Sequence, residues 1–210
     1  SKTLTQGNET INFERNFSKI TKSKYSVSFN SCTSALISAC ASLNIGSKDE
    51  VWTTPNTFVA SSNSAILNGA KIQFVDIDSK TFNMSVFSLE KKLKKTKKNK
   101  LPKAIISVHF AGLINNQKKI WELSKKYKFK IIEDCCHALG GKYLNEIAGN
   151  CRYSRISVFS FHAIKAITTG EGGMATTNDK KIYKKLNLIR SHGITKDKNK
   201  FKVKKKIDIF

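Results

Sequence analysis

Ala104-Ile105-Ile106-Ser107-Val108, an amphipathic run from Asn116 to Tyr127, and then Phe129-Lys130-Ile131-Ile132-Glu133 together decide the fold. A short run that is apolar at nearly every position suits a strand covered on both faces. The two runs are joined by a helix-length segment, which is the crossover a parallel pair needs. This is one βαβ unit. Outward from it, short apolar runs keep alternating with longer amphipathic ones. Upstream, Tyr25 to Phe29 reads as a strand, with a helix from about Thr33 whose apolar positions Ala35, Leu36, Ala39, Cys40 and Leu43 follow helical spacing as far as Ile45-Gly46. Val51-Trp52-Thr53, Phe58 to Leu67, Lys71 to Val75 and Ser85 to Lys95 continue as strand, helix, strand and helix. Downstream, strands are expected at Ile156 to Phe161 and Met174 to Thr176, and a last helix at Lys180 to Arg190. The expected class is α/β, a mostly parallel sheet flanked by helices, in one domain without repeats.

Composition excludes several alternatives. The 210 residues are 40% hydrophobic and 10% aromatic, an ordinary globular balance. No apolar run approaches the roughly 18 residues that cross a bilayer, and Ser1 to Gln6 lacks a signal-peptide core, so a cytoplasmic protein is expected. The five cysteines, Cys32, Cys40, Cys135, Cys136 and Cys151, are odd in number and mostly lie in apolar segments. They read as reduced thiols, and with no Cys-x-x-Cys pair no structural zinc site is expected. The net charge of +23 raises the question of an anionic partner. Only Arg15, Arg152, Arg155 and Arg190 among the 38 basic residues are arginine, however, and the lysine runs at Lys91 to Lys100 and Lys196 to Lys206 read as solvated faces. Neither nucleic acid nor membrane is expected as a partner.

The chemistry concentrates at strand ends. Ser160-Phe161-His162-Ala163-Ile164-Lys165-Ala166-Ile167-Thr168-Thr169-Gly170-Glu171-Gly172-Gly173 holds a lysine that stands alone between Lys142 and Lys180. Among apolar neighbours a lysine is pushed toward the neutral amine that attacks an aldehyde, although a snorkelling lysine fits the same segment. Ile131-Ile132-Glu133-Asp134-Cys135-Cys136-His137 puts two carboxylates and a histidine at the end of a buried strand, where open α/β sheets build their sites. An Asp there suits the partner of a protonated pyridine nitrogen, or simply a helix N-cap, and His137 also fits a satisfied core histidine. Asn30-Ser31-Cys32-Thr33-Ser34 opens a helix with hydroxyls, as a phosphate site or a plain cap would. Phe58 suits stacking on a planar ring, or core packing.

Taken in order, the strand-end hydroxyl loop, the aromatic, Asp-x-x-His and the isolated lysine before Thr-Thr-Gly-Glu-Gly-Gly resemble the DegT/DnrJ/EryC/StrS sugar aminotransferases. These use pyridoxal 5'-phosphate (PLP) and have the aspartate aminotransferase-like fold (fold type I). Within that family the likeness is strongest to the transaminases of pseudaminic acid biosynthesis, through Leu4-Thr5-Gln6-Gly7, Val51-Trp52-Thr53-Thr54-Pro55-Asn56-Thr57-Phe58, Val108-His109-Phe110-Ala111-Gly112 and Arg190-Ser191-His192-Gly193-Ile194-Thr195. The resemblance implies that Lys165 forms the Schiff base and shuttles a proton. By the same likeness, Asp134 meets the pyridine nitrogen, His137 lies near the 3-hydroxyl, and Phe58 stacks on the ring. Thr33, Ser34 and Ser160 would hold the phosphate. It implies glutamate as amino donor, a UDP-linked 4-keto-6-deoxy-N-acetylhexosamine as acceptor, and a homodimer.

Two positions depart from the pattern: Arg155 stands where an Asp is usual, and Ala163 where Pro is common. The resemblance further implies residues 1–194 as an incomplete PLP-binding large domain, 195–210 as a basic divergent tail, and a C-terminal small domain lying outside this sequence. A frameshifted end is one reading of Lys202 to Phe210. The alternatives are a basic fragment without catalysis that binds anionic partners, and a PLP sugar dehydratase of the same family. The dehydratases carry histidine where this chain has Lys165.

Overall fold

The computed structural model of the chain describes residues 6–194. Leu4, Thr5 and Thr195 of the quoted motifs, the lysine run from 196 to 206 and the tail 195–210 lie outside the described residues. In chain order the elements are α1 (Asn8–Thr21), β1 (Tyr25–Phe29), α2 (Cys32–Ser42), β2 (Glu50–Thr53), α3 (Ala60–Ile66), β3 (Lys71–Phe74), α4 (Val86–Lys95) and β4 (Ala104–Val108). They continue with α5 (Gln117–Tyr127), β5 (Lys130–Asp134), β6 (Lys142–Tyr143), β7 (Glu146–Ile147), β8 (Ile156–Ser160), β9 (Gly173–Thr177) and α6 (Lys180–Arg190).

Seven strands form one sheet in the order β1-β9-β8-β5-β4-β2-β3. The pairs β2 with β3, β2 with β4, β4 with β5 and β5 with β8 are parallel, and β9 runs antiparallel to both β1 and β8. The mostly parallel sheet expected from the apolar runs is present. Side chains alternate across it with the period of two that a pleated strand imposes. Ala104, Ile106 and Ile132 point into one core with Leu36 and Ala39 of α2, Ala65 of α3 and Leu186 of α6. Their neighbours Ile105 and Ile131 point the other way, to Leu89 and Leu93 of α4 and Ile120 and Leu123 of α5. Two-sided burial is why these strands read as unbroken apolar runs.

Two features were not among the expected elements. The helix α1 buries Phe17 and Thr21 of its fourteen residues, with Phe13 packed beside them. It is held by tertiary contact: Phe17 packs edge-on against Phe159 and Phe161 at 5.0 and 5.5 Å. Glu14 also ion-pairs with Arg190 of α6 and accepts from the Ser28 amide at 2.8 Å, tying α1, β1 and α6 together. The hairpin of β6 and β7 is two residues a side, below the length at which period-two patterning can be seen. The strand order also departs from sequence order, because β1 lies at the far edge beside β9 and not next to β2.

Arg155, the reversed charge, has its guanidinium 4.0 Å from the Asp179 carboxylate, a half-exposed pair that offsets it on the surface. The Lys92 ammonium lies over the Trp52 ring, 4.8 Å from its centroid, and donates to the Phe74 carbonyl at 2.7 Å. Because Phe17 carries the packing of α1, Phe17→Ala is expected to lower the unfolding free energy by about 3–5 kcal/mol. Denaturant titration followed by circular dichroism measures it, and a loss below about 1 kcal/mol would show that α1 is not docked in this way.

Candidate active site

Parallel pairing brings the C-terminal ends of β2, β4, β5 and β8 to one edge of the sheet, and β1, antiparallel to β9, ends there too. The residues that follow those ends line one cavity of about 340 Å³: Thr33 after β1, Phe58 after β2, His109 after β4, Asp134 and His137 at β5, Ser160 and Lys165 at β8. A larger groove, about 750 Å³, lies at the other end of the strands between Trp121, Lys125, Arg152 and Tyr153. Size does not decide between them. Only the smaller cavity gathers a lysine, a buried carboxylate and a helix N-terminus.

Asp134 is 5% exposed and is held by donors on both oxygens. Its Oδ2 accepts from the Ser61 hydroxyl at 2.7 Å and its Oδ1 from the Cys136 amide at 3.2 Å. Ser61 in turn lies 2.8 Å from the Thr57 hydroxyl. A buried carboxylate is tolerated only with such partners, and here they also fix its direction. Ser61 was not singled out from sequence. Its signal is weak, a serine one helical turn after Thr57.

Lys165 sits in the loop between β8 and β9. That loop is closed at its base by the Phe161 amide to the Gly172 carbonyl at 2.9 Å and the Thr169 amide to the Phe161 carbonyl at 3.0 Å. The lysine is half-buried, but its apolar neighbours Ile164 and Ile167 are 81% and 48% exposed and turn outward. The apolar enclosure expected from sequence is therefore open on one side. Phe58, 76% exposed, lines the cavity and stands clear of the core. Partial burial, and then the nearby Lys165 ammonium, hold the His137 imidazole below its ordinary value of 6.5, against the opposite pull of Asp134.

At the start of α2 the Ser31 side chain accepts from the Ser34 amide at 3.1 Å, leaving the first-turn amides of Cys32 and Thr33 as the free donors every helix start has. Ser34 is absent from the cavity lining. Its hydroxyl is turned to Ser31 at 3.1 Å, so six of the seven expected residues converge and Ser34 stands behind them. Gly173 allows this approach, since a Cβ there would collide with the Ser31 carbonyl.

Two further features lay outside the sequence reading. His109, fully buried, takes the Asn115 amide on Nδ1 at 3.3 Å, so its Nε2 proton points to Glu133 at 2.9 Å. The Cys32 and Cys136 sulfurs lie 3.0 Å apart beside Asp134. The Cys32 thiol, burial and the Asp134 charge all push the Cys136 thiol upward.

Comparison with known proteins agrees with this geometry. The model of the DegT/DnrJ/EryC1/StrS aminotransferase family matches residues 1–207, which carries it into the basic segment after 194. The chain belongs to that family. The family includes PLP-dependent sugar aminotransferases, and a putative sugar aminotransferase of Streptococcus pneumoniae is solved in both PLP and PMP forms. An uncharacterized protein of Methanocaldococcus jannaschii is 41% identical over 194 residues, which is 92% of this chain and 48% of that protein. The UDP-4-amino-4,6-dideoxy-N-acetyl-beta-L-altrosamine transaminase of Helicobacter pylori is 39% identical over 198 residues, 93% of this chain and 51% of that one. The structure of Helicobacter pylori PseC, an aminotransferase involved in the biosynthesis of pseudoaminic acid, superposes with a TM-score of 0.83 at 37% identity over 94% of this chain and 52% of that one. The chain spans about half the length of the curated relatives it matches.

The His137 shift has a defined sign. A histidine with a lowered folded value binds fewer protons folded than unfolded, so its contribution is present above the ordinary 6.5 and is lost as pH falls through the lowered value. An NMR titration of His137 is expected to give a midpoint below 6.5, and Lys165→Met to move it part of the way back. A midpoint at or above 6.5 in the parent would remove the contact between the two residues.

Proposed function

We propose that this chain is the cofactor-bearing part of a PLP-dependent sugar-nucleotide aminotransferase. On this reading it moves an amino group from glutamate to the C4 keto group of a UDP-linked 4-keto-6-deoxy-N-acetylhexosamine. The observation that carries it is the convergence of Lys165 and the doubly held Asp134 carboxylate on one cavity. The residues fit the group: a buried carboxylate for a pyridinium, a helix N-terminus for a phosphate, and an amine for an aldehyde. PLP, when bound, supplies an electron sink that stabilises negative charge at the substrate carbon.

The chain's own residues divide the remaining work. Asp134 keeps a proton on the pyridine nitrogen, and Ser61 and the Cys136 amide hold that carboxylate in one orientation. Lys165 would be the amine that holds the cofactor's aldehyde carbon, and would serve as general base and acid for the proton at the substrate carbon. The depressed His137 stays uncharged at neutral pH and serves as a hydrogen-bond partner for a ring oxygen. Thr33, Ser160 and the first-turn amides of α2 receive the phosphate, with Ser34 supporting the Ser31 cap. Phe58 covers one ring face and excludes water from it.

The sugar specificity rests on relatives near 39% identity, among them the altrosamine transaminase. The domain is taken as residues 1–194. A homodimer is supported by exposed apolar side chains: Phe58 and Ile164, which line the cavity, and their chain neighbours Val59 and Ile167 are exposed by 76, 81, 54 and 48%, and would gain by facing a second subunit. Lysine at 165 speaks against the dehydratase branch.

Adding PLP to the purified protein is expected to give a visible absorbance band that borohydride bleaches, with the reduced label found by peptide mapping on Lys165. Labelling at another lysine overturns the assignment. Ser61→Ala should weaken PLP uptake about tenfold, the loss of one charge-assisted hydrogen bond, with the fold intact by circular dichroism. In the complete enzyme, Lys165→Ala should reduce turnover of glutamate with the keto sugar by at least about 10²–10⁴.

A further inference from the structure

Cys32 opens α2 and Cys136 follows β5, 104 residues apart in sequence, yet their sulfurs meet at 3.0 Å. The Asp134 carboxylate completes a triangle in which each ligand atom lies within 4.8 Å of the others. All three residues line the same 340 Å³ cavity, so the triangle has an open side toward solvent. The other two buried thiols with polar contacts are arranged differently: Cys40 meets only Ser64, and Cys151 meets hydroxyls and carbonyls of Gly149, Ser157 and Thr176. The triad of His109, Glu133 and Cys135 is closed off by burial and already saturated by the pairing of His109 with Glu133.

We propose that Cys32, Cys136 and Asp134 form a binding site for a thiophilic divalent cation of the zinc class. Thiolate and carboxylate ligands at about 2.0–2.3 Å from such an ion span a triangle of this size after a small opening of the sulfur pair. Three protein ligands and one open position are the layout of a solvent-accessible zinc site, and here the open position faces the cavity. The Ser61 hydroxyl on Oδ2 of Asp134 supplies the orienting outer contact that such carboxylates carry. Binding releases the two thiol protons to solvent as the metal–sulfur bonds form. The same carboxylate cannot serve a cation and a pyridinium at once. On the cofactor reading proposed above, metal and PLP therefore exclude each other, and excess metal acts as an inhibitor of cofactor loading.

The test titrates Cd²⁺ into the cofactor-free protein kept in a non-thiol reductant and follows the ultraviolet band of sulfur-to-cadmium charge transfer. One ion per chain is expected, with Cys32→Ser, Cys136→Ser and Asp134→Asn each weakening binding at least about tenfold. Cys40→Ala should bind like the parent, and circular dichroism confirms that each variant is folded. No band, or a band that survives both serine variants, overturns the proposal. So does a denatured sample, prepared without reductant, that titrates three thiols and not five, because the pair is then a disulfide. PLP uptake by the metal-free protein is read separately, so its failure counts against the cofactor reading and leaves the metal site standing.

Discussion

The structure depends on one constraint, the parallel backbone ladder across β2, β4, β5 and β8. Parallel hydrogen bonding makes these strands end at the same edge, and register then decides which residues meet there. Val108 pairs with Asp134, and Asp134 with Val158, so the residues that follow β4 and β8 are drawn level with the acidic end of β5. The crossover helices that a parallel sheet requires cover both faces and leave only the strand ends free. A site at that edge is thus a consequence of topology before any side chain is considered.

Against that backbone the polar groups are held tightly and the apolar ones are not. Asp134 is buried and receives two hydrogen bonds, while Phe58, Ile164 and Ile167 around it stand in solvent. A rigid carboxylate beneath an exposed apolar rim is the arrangement of a site that shares its walls with another surface. On the reading proposed above, this chain orients the charged groups of the cofactor pocket, and a facing surface would complete the enclosure that strips water from it.

The cysteines show how little a local motif says when its partners are distant. Each of Cys32 and Cys136 reads as a small apolar residue in its own segment. Together they place two sulfurs beside the Asp134 carboxylate in the same pocket. Part of the large positive charge is used locally, the Lys92 and Lys125 ammonium groups lying over the rings of Trp52 and Trp121 at 4.8 and 4.9 Å.

The sequence alone determined the strands and helices whose two faces are both covered, because near-continuous apolar runs such as Ala104 to Val108 admit few other readings. Six of the seven residues chosen from its motifs also line the cavity, since lysine, aspartate and a hydroxyl-rich helix start are each required by a definite piece of chemistry. It was silent where stability comes from distant contacts. The helix α1 is held by Phe17 against Phe159 and Phe161, and β1 is placed beside β9 by pairing that no local pattern encodes. Only the tertiary structure decided that Ser61 orients Asp134, that Ser34 turns to its cap, and that two thiols 104 residues apart touch. The reason is physical: periodicity reports which face of an element is buried, and it carries no information about which distant side chain will be found there.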